Sequence, residues 1–168
     1  MRILGIDPGF GILGWAVIEK DLTIVACGAL QTPKEIPLEE RIYRIHGELR
    51  EIIQKYQPRC AALERVFFTK NVKTAMDVAK CIGAVLLTLR MEGCAFVEYT
   101  PTQVKQAMTG YGRADKEQMQ SMVQRIFKIK EFPYPDDTAD ALAVAVCHSL
   151  SQKGVYAERI QHIRGNRE

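Results

Sequence analysis

The sequence predicts an α/β domain built on a mixed five-stranded sheet flanked by helices. Three β-rich runs come first, at residues 2–7, 13–19 and 22–30, and two short strands follow at 60–64 and 95–99. Segments of helical periodicity separate the last strands, which are therefore reached through helical crossovers and lie parallel. The order predicts an antiparallel three-stranded meander continued by two parallel strands.

The first half of the chain contains two turns and two helices. The first strand ends at Pro8-Gly9, and Lys20-Asp21 predicts a tight hairpin between the second and third strands. Residues 38–56 place apolar side chains on one helical face, with charges opposite. A helix over about 71–91 is apolar almost all round near its end. That composition predicts burial against a second subunit, with complete burial inside one domain as the alternative.

The second half of the chain carries two helix-capping signals and a proline break. Thr100 with Gln103, and Asp115 with Gln118, predict helices beginning at residue 101 and covering about 116–128. Pro133 and Pro135 precede a last helix over about 137–150. We expect one domain over residues 1–151 and a loose polar, basic tail over 152–168.

Composition narrows the class of protein. With 168 residues, 47% hydrophobic and 26% charged, the chain fits one soluble globular domain, and no run approaches the roughly 18 apolar residues of a membrane helix. The chain starts directly with Met-Arg and a strand, which predicts no signal peptide. Five scattered cysteines without a C-x-x-C pair predict reduced thiols and a cytoplasmic location.

The net charge of +3 is small, but two segments are basic. Residues 65–90 carry five bases against one acid, and residues 105–130 carry six bases against two acids. Positive segments of this kind favour a phosphodiester substrate. Solvated helix faces are an equally good explanation from composition alone.

Four carboxylates stand at positions that suit metal binding. Asp7 and Glu64 end strands, and parallel pairing of these strands would bring both acids to one sheet edge. Asp137 and Asp140 share one face of the last helix at a spacing of three. Carboxylate oxygens are the ligands that magnesium prefers, and a pair of such ions can promote in-line phosphoryl displacement.

Each of these acids has a structural alternative. Asp7 before Pro-Gly could start a turn, and Glu64 could be an exposed strand end or a partner of Arg65. Asp137 and Asp140 also fit an N-cap and its third-position acid, and Asp136 could equally be the cap. Coincidence of all four is much less plausible than any one of these alternatives.

Four motifs, in order, resemble the RuvC family of Holliday-junction resolvases. They are Ile-Leu-Gly-Ile-Asp7-Pro-Gly followed by Gly-Trp15-Ala-Val, then Glu64-Arg-Val-Phe-Phe-Thr-Lys-Asn71, then Gln103-Val-Lys105-Gln, and finally Asp137-Thr-Ala-Asp140-Ala-Leu-Ala-Val. Any one of them alone would be a weak signal. The ordered set spans residues 3 to about 150, nearly the whole domain.

The resemblance implies a ribonuclease H-like fold and an endonuclease that makes paired symmetric nicks across a four-way DNA junction in recombination and repair. It implies a homodimer, Mg²⁺ dependence with Mn²⁺ as a substitute, two ions per subunit with substrate bound, and a branch-migration helicase complex as a further partner. It carries the catalytic, metal-binding acids onto Asp7, Glu64, Asp137 and Asp140, with Asp136 as an alternative to Asp137.

Further residues are expected to meet DNA. Lys105 and Lys116 resemble family lysines near the scissile phosphate, where a cation offsets transition-state charge, although ordinary surface lysines are the alternative. Phe67 is expected to stack on an unpaired base, with Phe68 turned inward. Lys70, Lys73 and the loop residue Arg113 complete the expected DNA contacts.

Three other functions are compatible with parts of the pattern. Composition does not distinguish a junction-resolving endonuclease from a ribonuclease of the same fold that processes structured RNA. Sugar and acetate kinases of the actin-like class also begin with an Asp-x-Gly hairpin, but they need two such domains, for which this chain is too short. A junction-binding protein without catalysis is disfavoured by the complete carboxylate set.

Overall fold

A computed structural model describes residues 1–9, 11–67, 72–129 and 135–151, without the side chains of 72–74. The expectations for Phe68, Lys70, the Lys73 side chain and the tail at 152–168 lie outside the described residues. Five strands and five helices are described: β1 Arg2–Asp7, β2 Ile12–Glu19, β3 Ile24–Gln31, α1 Leu38–Tyr56, β4 Cys60–Glu64, α2 Val72–Met91, β5 Ala95–Tyr99, α3 Pro101–Thr109, α4 Lys116–Phe127 and α5 Asp136–Ser151.

The sheet has the predicted mixed topology. Its strand order is β3-β2-β1-β4-β5, with β1 in the centre. The β1–β2 and β2–β3 pairs are antiparallel, whereas β1–β4 and β4–β5 are parallel. Both predicted capping boxes are present, at Thr100 with Gln103 and at Asp115 with Gln118. The α/β prediction is therefore confirmed.

Helices cover both faces of the sheet, because alternate strand residues point to opposite sides. Ile3 of β1 faces a core built with α3, α4 and α5, whereas its neighbour Leu4 faces a core built with α1 and α2. Helix α5 is buried along most of its length, and Leu142, Val144 and Val146 are wholly inaccessible to solvent. Because α5 is packed into the core, the position of its first turn relative to the end of β1 is fixed.

The connection between β2 and β3 is longer than the predicted two-residue turn at Lys20-Asp21. Strand β3 begins at Ile24, not at residue 22. The Glu19 N–H donates to the Thr23 carbonyl at 2.8 Å, and the Leu22 N–H donates to the Glu19 carbonyl at 2.9 Å. Leu22 has a φ of 68°, a left-handed conformation that closes the turn. The tight-hairpin prediction was wrong because a leucine takes the position that glycine or asparagine usually marks.

Candidate functional site

Two of the four predicted acids end neighbouring parallel strands. Ile6 of β1 lies opposite Leu63 of β4, so Asp7 and Glu64, one residue further along each strand, emerge side by side. Both acids are partly buried at the carboxyl edge of the sheet centre. The strand-pairing argument from the sequence is confirmed at this edge.

Close backbone packing brings the start of α5 to the same edge. A Cβ on Gly5 of β1 would collide with the Ala141 carbonyl, and a Cβ on Gly14 of β2 would collide with the Asp137 carbonyl. Gly14 is also the strand partner of Asp7. The two glycines therefore let α5 lie directly on β1 and β2 and bring Asp137 close to Asp7.

Asp7 is the acid most strongly affected by this arrangement. Its pKa is raised from 3.8 to about 7, mainly by burial and then by the neighbouring charges of Glu64, Asp140 and Asp137 in that order of importance. Four carboxylates within electrostatic range of one another store repulsion at this edge. Cations bound among them would remove that repulsion.

Two lysines oppose the buried acids. Burial raises the pKa of Glu64, with Asp140 adding to the rise and Lys105 countering it. Burial likewise raises the pKa of Asp140, and Lys116 is the main countering charge. These four side chains line one cavity of about 300 Å³, so both predicted lysines lie in the same cavity as two of the four predicted acids.

The donor set fits a hard divalent cation. The candidate ligands Asp7, Glu64, Asp137 and Asp140 are all carboxylates, which suits Mg²⁺ or Mn²⁺ and not a thiolate-preferring metal. Within the described ranges, no three acidic, histidine or cysteine side chains already converge to metal-binding distance.

Helix α5 starts one residue earlier than predicted, at Asp136 instead of Asp137. The reading of Asp137 and Asp140 as an N-cap and its third-position acid is therefore wrong. Asp136 is exposed and accepts from Lys116 Nζ at 2.6 Å and from Gln120 Nε2 at 3.0 Å. Asp137, and not Asp136, lies against Gly14, which favours Asp137 as the member of the carboxylate cluster.

The residues expected to contact DNA are exposed where they are described. Phe67 follows β4 by three residues and is 57% exposed, an unusual state for a phenylalanine. Arg113 is exposed in the connection between α3 and α4. That connection is anchored: Ala114 is buried, and Gly110 forms the left-handed C-cap of α3.

Sequence reasoning missed a buried polar cluster behind the site. His148 of α5 is 1% exposed; its Nδ1 lies 2.8 Å from Tyr99 Oη, and its Nε2 lies 3.3 Å from Cys60 Sγ. Burial lowers the pKa of His148 to about 4. Nothing in the sequence spacing indicates that this histidine has partners on β4 and β5.

A larger cavity, of about 470 Å³, lies between the end of α3 and α4. Tyr111, Met122 and Arg125 are among its lining residues. It contains none of the four clustered acids, so it is not the chemical site.

In the part of the chain that is described, no helix is long and apolar enough to cross a membrane.

Comparison with known proteins identifies a family. The family model described as crossover junction endodeoxyribonuclease RuvC matches residues 3–148. A crossover junction endodeoxyribonuclease RuvC of Chloroflexus aggregans is 50% identical over 154 residues, covering 90% of this chain and 94% of that protein. The corresponding protein of Roseiflexus sp. is 49% identical over 153 residues, covering 89% of this chain and 91% of the relative.

Solved structures agree with this match. Thermus thermophilus RuvC in complex with Holliday junction substrate superposes with a TM-score of 0.84 at 34% identity, covering 96% of each chain. The yeast mitochondrial Holliday junction resolvase Ydc2 superposes with a TM-score of 0.65 at 11% identity, covering 98% of this chain and 82% of that one. The second likeness concerns the fold alone.

Proposed function

The chain belongs to the RuvC family of crossover junction endodeoxyribonucleases, and we propose that it cuts four-way DNA junctions at the carboxylate cluster around Asp7. It is a hydrolase of phosphodiester bonds that resolves Holliday junctions by paired nicks. The observation that carries the proposal is the convergence of Asp7, Glu64, Asp137 and Asp140 on one sheet edge, with the pKa of Asp7 raised to about 7.

The four acids are the proposed metal ligands. We infer two Mg²⁺ ions per subunit with substrate bound, replaceable by Mn²⁺, because a phosphodiester oxygen and four carboxylates supply the hard ligands that such a pair requires. When bound, the ions supply activation of the attacking water and stabilisation of the leaving oxygen. Asp7 ends β1, which has a hydrogen-bonded strand on each side, and it would be held there as one of the metal ligands.

Lys105 and Lys116 are proposed to meet the scissile phosphate. Both line the cavity that contains Glu64 and Asp140, on the side formed by α3 and α4. A phosphoryl transition state gathers negative charge on its oxygens, and an ammonium group placed beside it stabilises that charge. The lysines therefore serve the substrate side of the site, opposite the carboxylates.

Phe67 is proposed to stack on an unpaired base at the junction. Its exposed ring lies three residues beyond Glu64, at the sheet edge that carries the cluster. Stacking of a base on an aromatic ring contributes about 1–3 kcal/mol and needs no particular base. Arg113, Lys70 and Lys73 are proposed as further contacts to DNA phosphates.

We infer that the protein acts as a homodimer. Helix α2 presents Met76, Leu87 and Met91, each more than half exposed, which is more apolar surface than a solvated helix usually carries. A four-way junction has strands related by a two-fold axis, and an isologous dimer presents two sites with the same symmetry. A cytoplasmic location and a branch-migration helicase partner complete the proposal. The cytoplasmic location is supported by the five cysteines, which form no disulfide in the described part of the chain.

The substrate class is tested with matched nucleic acids. A synthetic four-way DNA junction, a nicked duplex and an RNA hairpin are each incubated with the protein, in Mg²⁺ and in excess chelator. We expect symmetric nicks in the four-way junction alone, and only with the metal. Preferred cutting of the RNA hairpin would instead show that the site belongs to a ribonuclease. Full activity in excess chelator would show that the reaction needs no metal.

A further inference from the structure

An ion pair at the mouth of the catalytic cavity already engages one of the two substrate-facing lysines. Lys116 Nζ lies 2.6 Å from Asp136 Oδ2, a short charge-assisted hydrogen bond. Gln120 Nε2 donates to the other carboxylate oxygen of Asp136 at 3.0 Å. Asp136 is therefore held through both oxygens by α4, and it links the first turn of α5 to the start of α4.

The Lys116 ammonium lies between two sets of negative charges. Asp136, which does not line the cavity, attracts it most strongly. Asp140, which lines the cavity, and Asp137 attract it more weakly. The side chains of Lys116 and Asp136 are 62% and 58% exposed, so both can rearrange without disturbing the core. Lysine has a flexible four-carbon stem, which lets its charge change partners over several ångströms.

We propose that Asp136 is a positioning residue that competes with the substrate phosphate for Lys116, so that Lys116 exchanges the carboxylate for DNA on binding. The inference rests on the proposed function, because it takes a phosphodiester as the competing anion. Phosphate and carboxylate oxygens offer an ammonium group the same kind of acceptor. Lys116 reaches DNA only by giving up the contact with Asp136, and the loss of that contact weakens the apparent affinity for substrate.

The expected effect is moderate. Exposed ion pairs are weak because water screens both charges, so releasing Lys116 should strengthen junction binding about two- to fivefold. An acid placed here also repels DNA directly, whether or not it holds Lys116. The two contributions are separable, since only the first depends on the lysine.

A double-mutant cycle on the full chain makes that separation. Affinity for a synthetic four-way junction is measured in Ca²⁺, which is expected to support binding without cutting, for wild type, Asp136→Asn, Lys116→Met and the double variant. We expect Asp136→Asn to strengthen binding about two- to fivefold in the wild-type background. In the Lys116→Met background we expect a clearly smaller gain, because only the direct repulsion of DNA by Asp136 is then removed. An equal gain in both backgrounds, or no gain in either, would overturn the proposal.

Two further variants control for charge and for shape. Glu117→Gln removes a negative charge from the residue next to Lys116, but Glu117 lines the larger cavity on the other side of α4. Its effect on affinity should be the same with and without Lys116. Asp136→Glu retains the charge and should bind as wild type does. A gain with Asp136→Glu equal to that of Asp136→Asn would contradict competition by a carboxylate.

Cleavage of the same junction by wild type in Mg²⁺ is assayed as well. This assay distinguishes an error in the role of Asp136 from an error in the proposed function. A wild type that cuts the junction while the cycle is additive rejects the role of Asp136 alone. A wild type that neither binds nor cuts rejects the proposed function, and the role of Asp136 with it.

Discussion

Asp7 is the residue at which burial and like-charge repulsion act together most strongly. Its raised pKa, about 7, means that the folded protein without metal favours the protonated carboxyl up to near-neutral pH. An acid whose pKa is raised in the folded state makes the protein less stable as pH rises from its unfolded pKa to its folded pKa. For Asp7 that window runs from 3.8 to about 7.

Replacing Asp7 by Asn should therefore stabilise the protein without metal. The gain in free energy of unfolding should be larger at pH 8 than at pH 5, by about 1–3 kcal/mol, because only the ionised carboxylate is disfavoured. Thermal unfolding in chelator at both pH values measures it. Adding Mg²⁺ at pH 8 should raise the melting temperature of wild type more than that of the variant. A variant less stable than wild type at pH 8 would show that Asp7 is not under repulsion.

His148 should give the opposite pH response. A base whose pKa is lowered on folding contributes stability that is complete above the unfolded value of 6.5 and is lost as pH falls towards about 4. In an Asp7→Asn background, which removes the competing contribution of Asp7, stability should fall by about 1–3 kcal/mol across that range. His148→Gln should be less stable at pH 8 yet show a shallower fall. An unchanged slope would mean that another group accounts for the acid sensitivity.

At the scale of the elements, the site depends on how closely α5 lies on the sheet. Gly5 and Gly14 remove the side chains that would hold the helix away, and Gly14 contacts the backbone of Asp137 directly. The position of one ligand is thus set by a glycine on a different strand.

Gly14→Ala should displace the first turn of α5 and reduce junction cleavage at least about tenfold, because small shifts of a reacting group are costly. Gly47→Ala is the matched control, since a Cβ at Gly47 on α1 meets nothing within 4 Å. The control should cleave normally and gain up to about 1 kcal/mol from better helix propensity. Circular dichroism should confirm that both variants fold. If Gly14→Ala then cleaved junctions as fast as wild type, the close packing of α5 on Gly14 would not be needed for catalysis.

The proposed dimer interface on α2 is tested by placing a charged side chain on its exposed apolar face. Leu87 is 60% exposed and should lie in the dimer interface, so Leu87→Glu should give a folded monomer that nicks junctions without paired cuts. Leu86 is partly buried against the core, which makes it the poorer choice. Leu150→Glu, at an equally exposed leucine of α5, should leave the dimer intact. Sedimentation velocity distinguishes these results, and a monomeric wild type making coordinated paired cuts would refute the dimer.

At the scale of the whole molecule, the sheet order and the meeting of Asp7 with Glu64 follow from sequence, because strand periodicity and parallel crossovers dictate them. The long β2–β3 turn did not follow, since Leu22 adopts a left-handed conformation without the residue that signals it. The burial of His148 beside Tyr99 and the pairing of Asp136 with Lys116 arise from tertiary packing between distant segments. Sequence spacing carries no information about such contacts.

The carboxylate cluster around Asp7 is proposed to hold the metal needed to cut the junction. This role is tested most directly by measuring binding and cleavage of one four-way junction by Asp7→Asn in Mg²⁺, with Glu48→Gln on the exposed face of α1 as the charge control. We predict at least about a hundredfold loss of cleavage with unchanged or tighter binding, because a ligand and a negative charge facing phosphate are both removed. Near wild-type cleavage by Asp7→Asn would contradict the account.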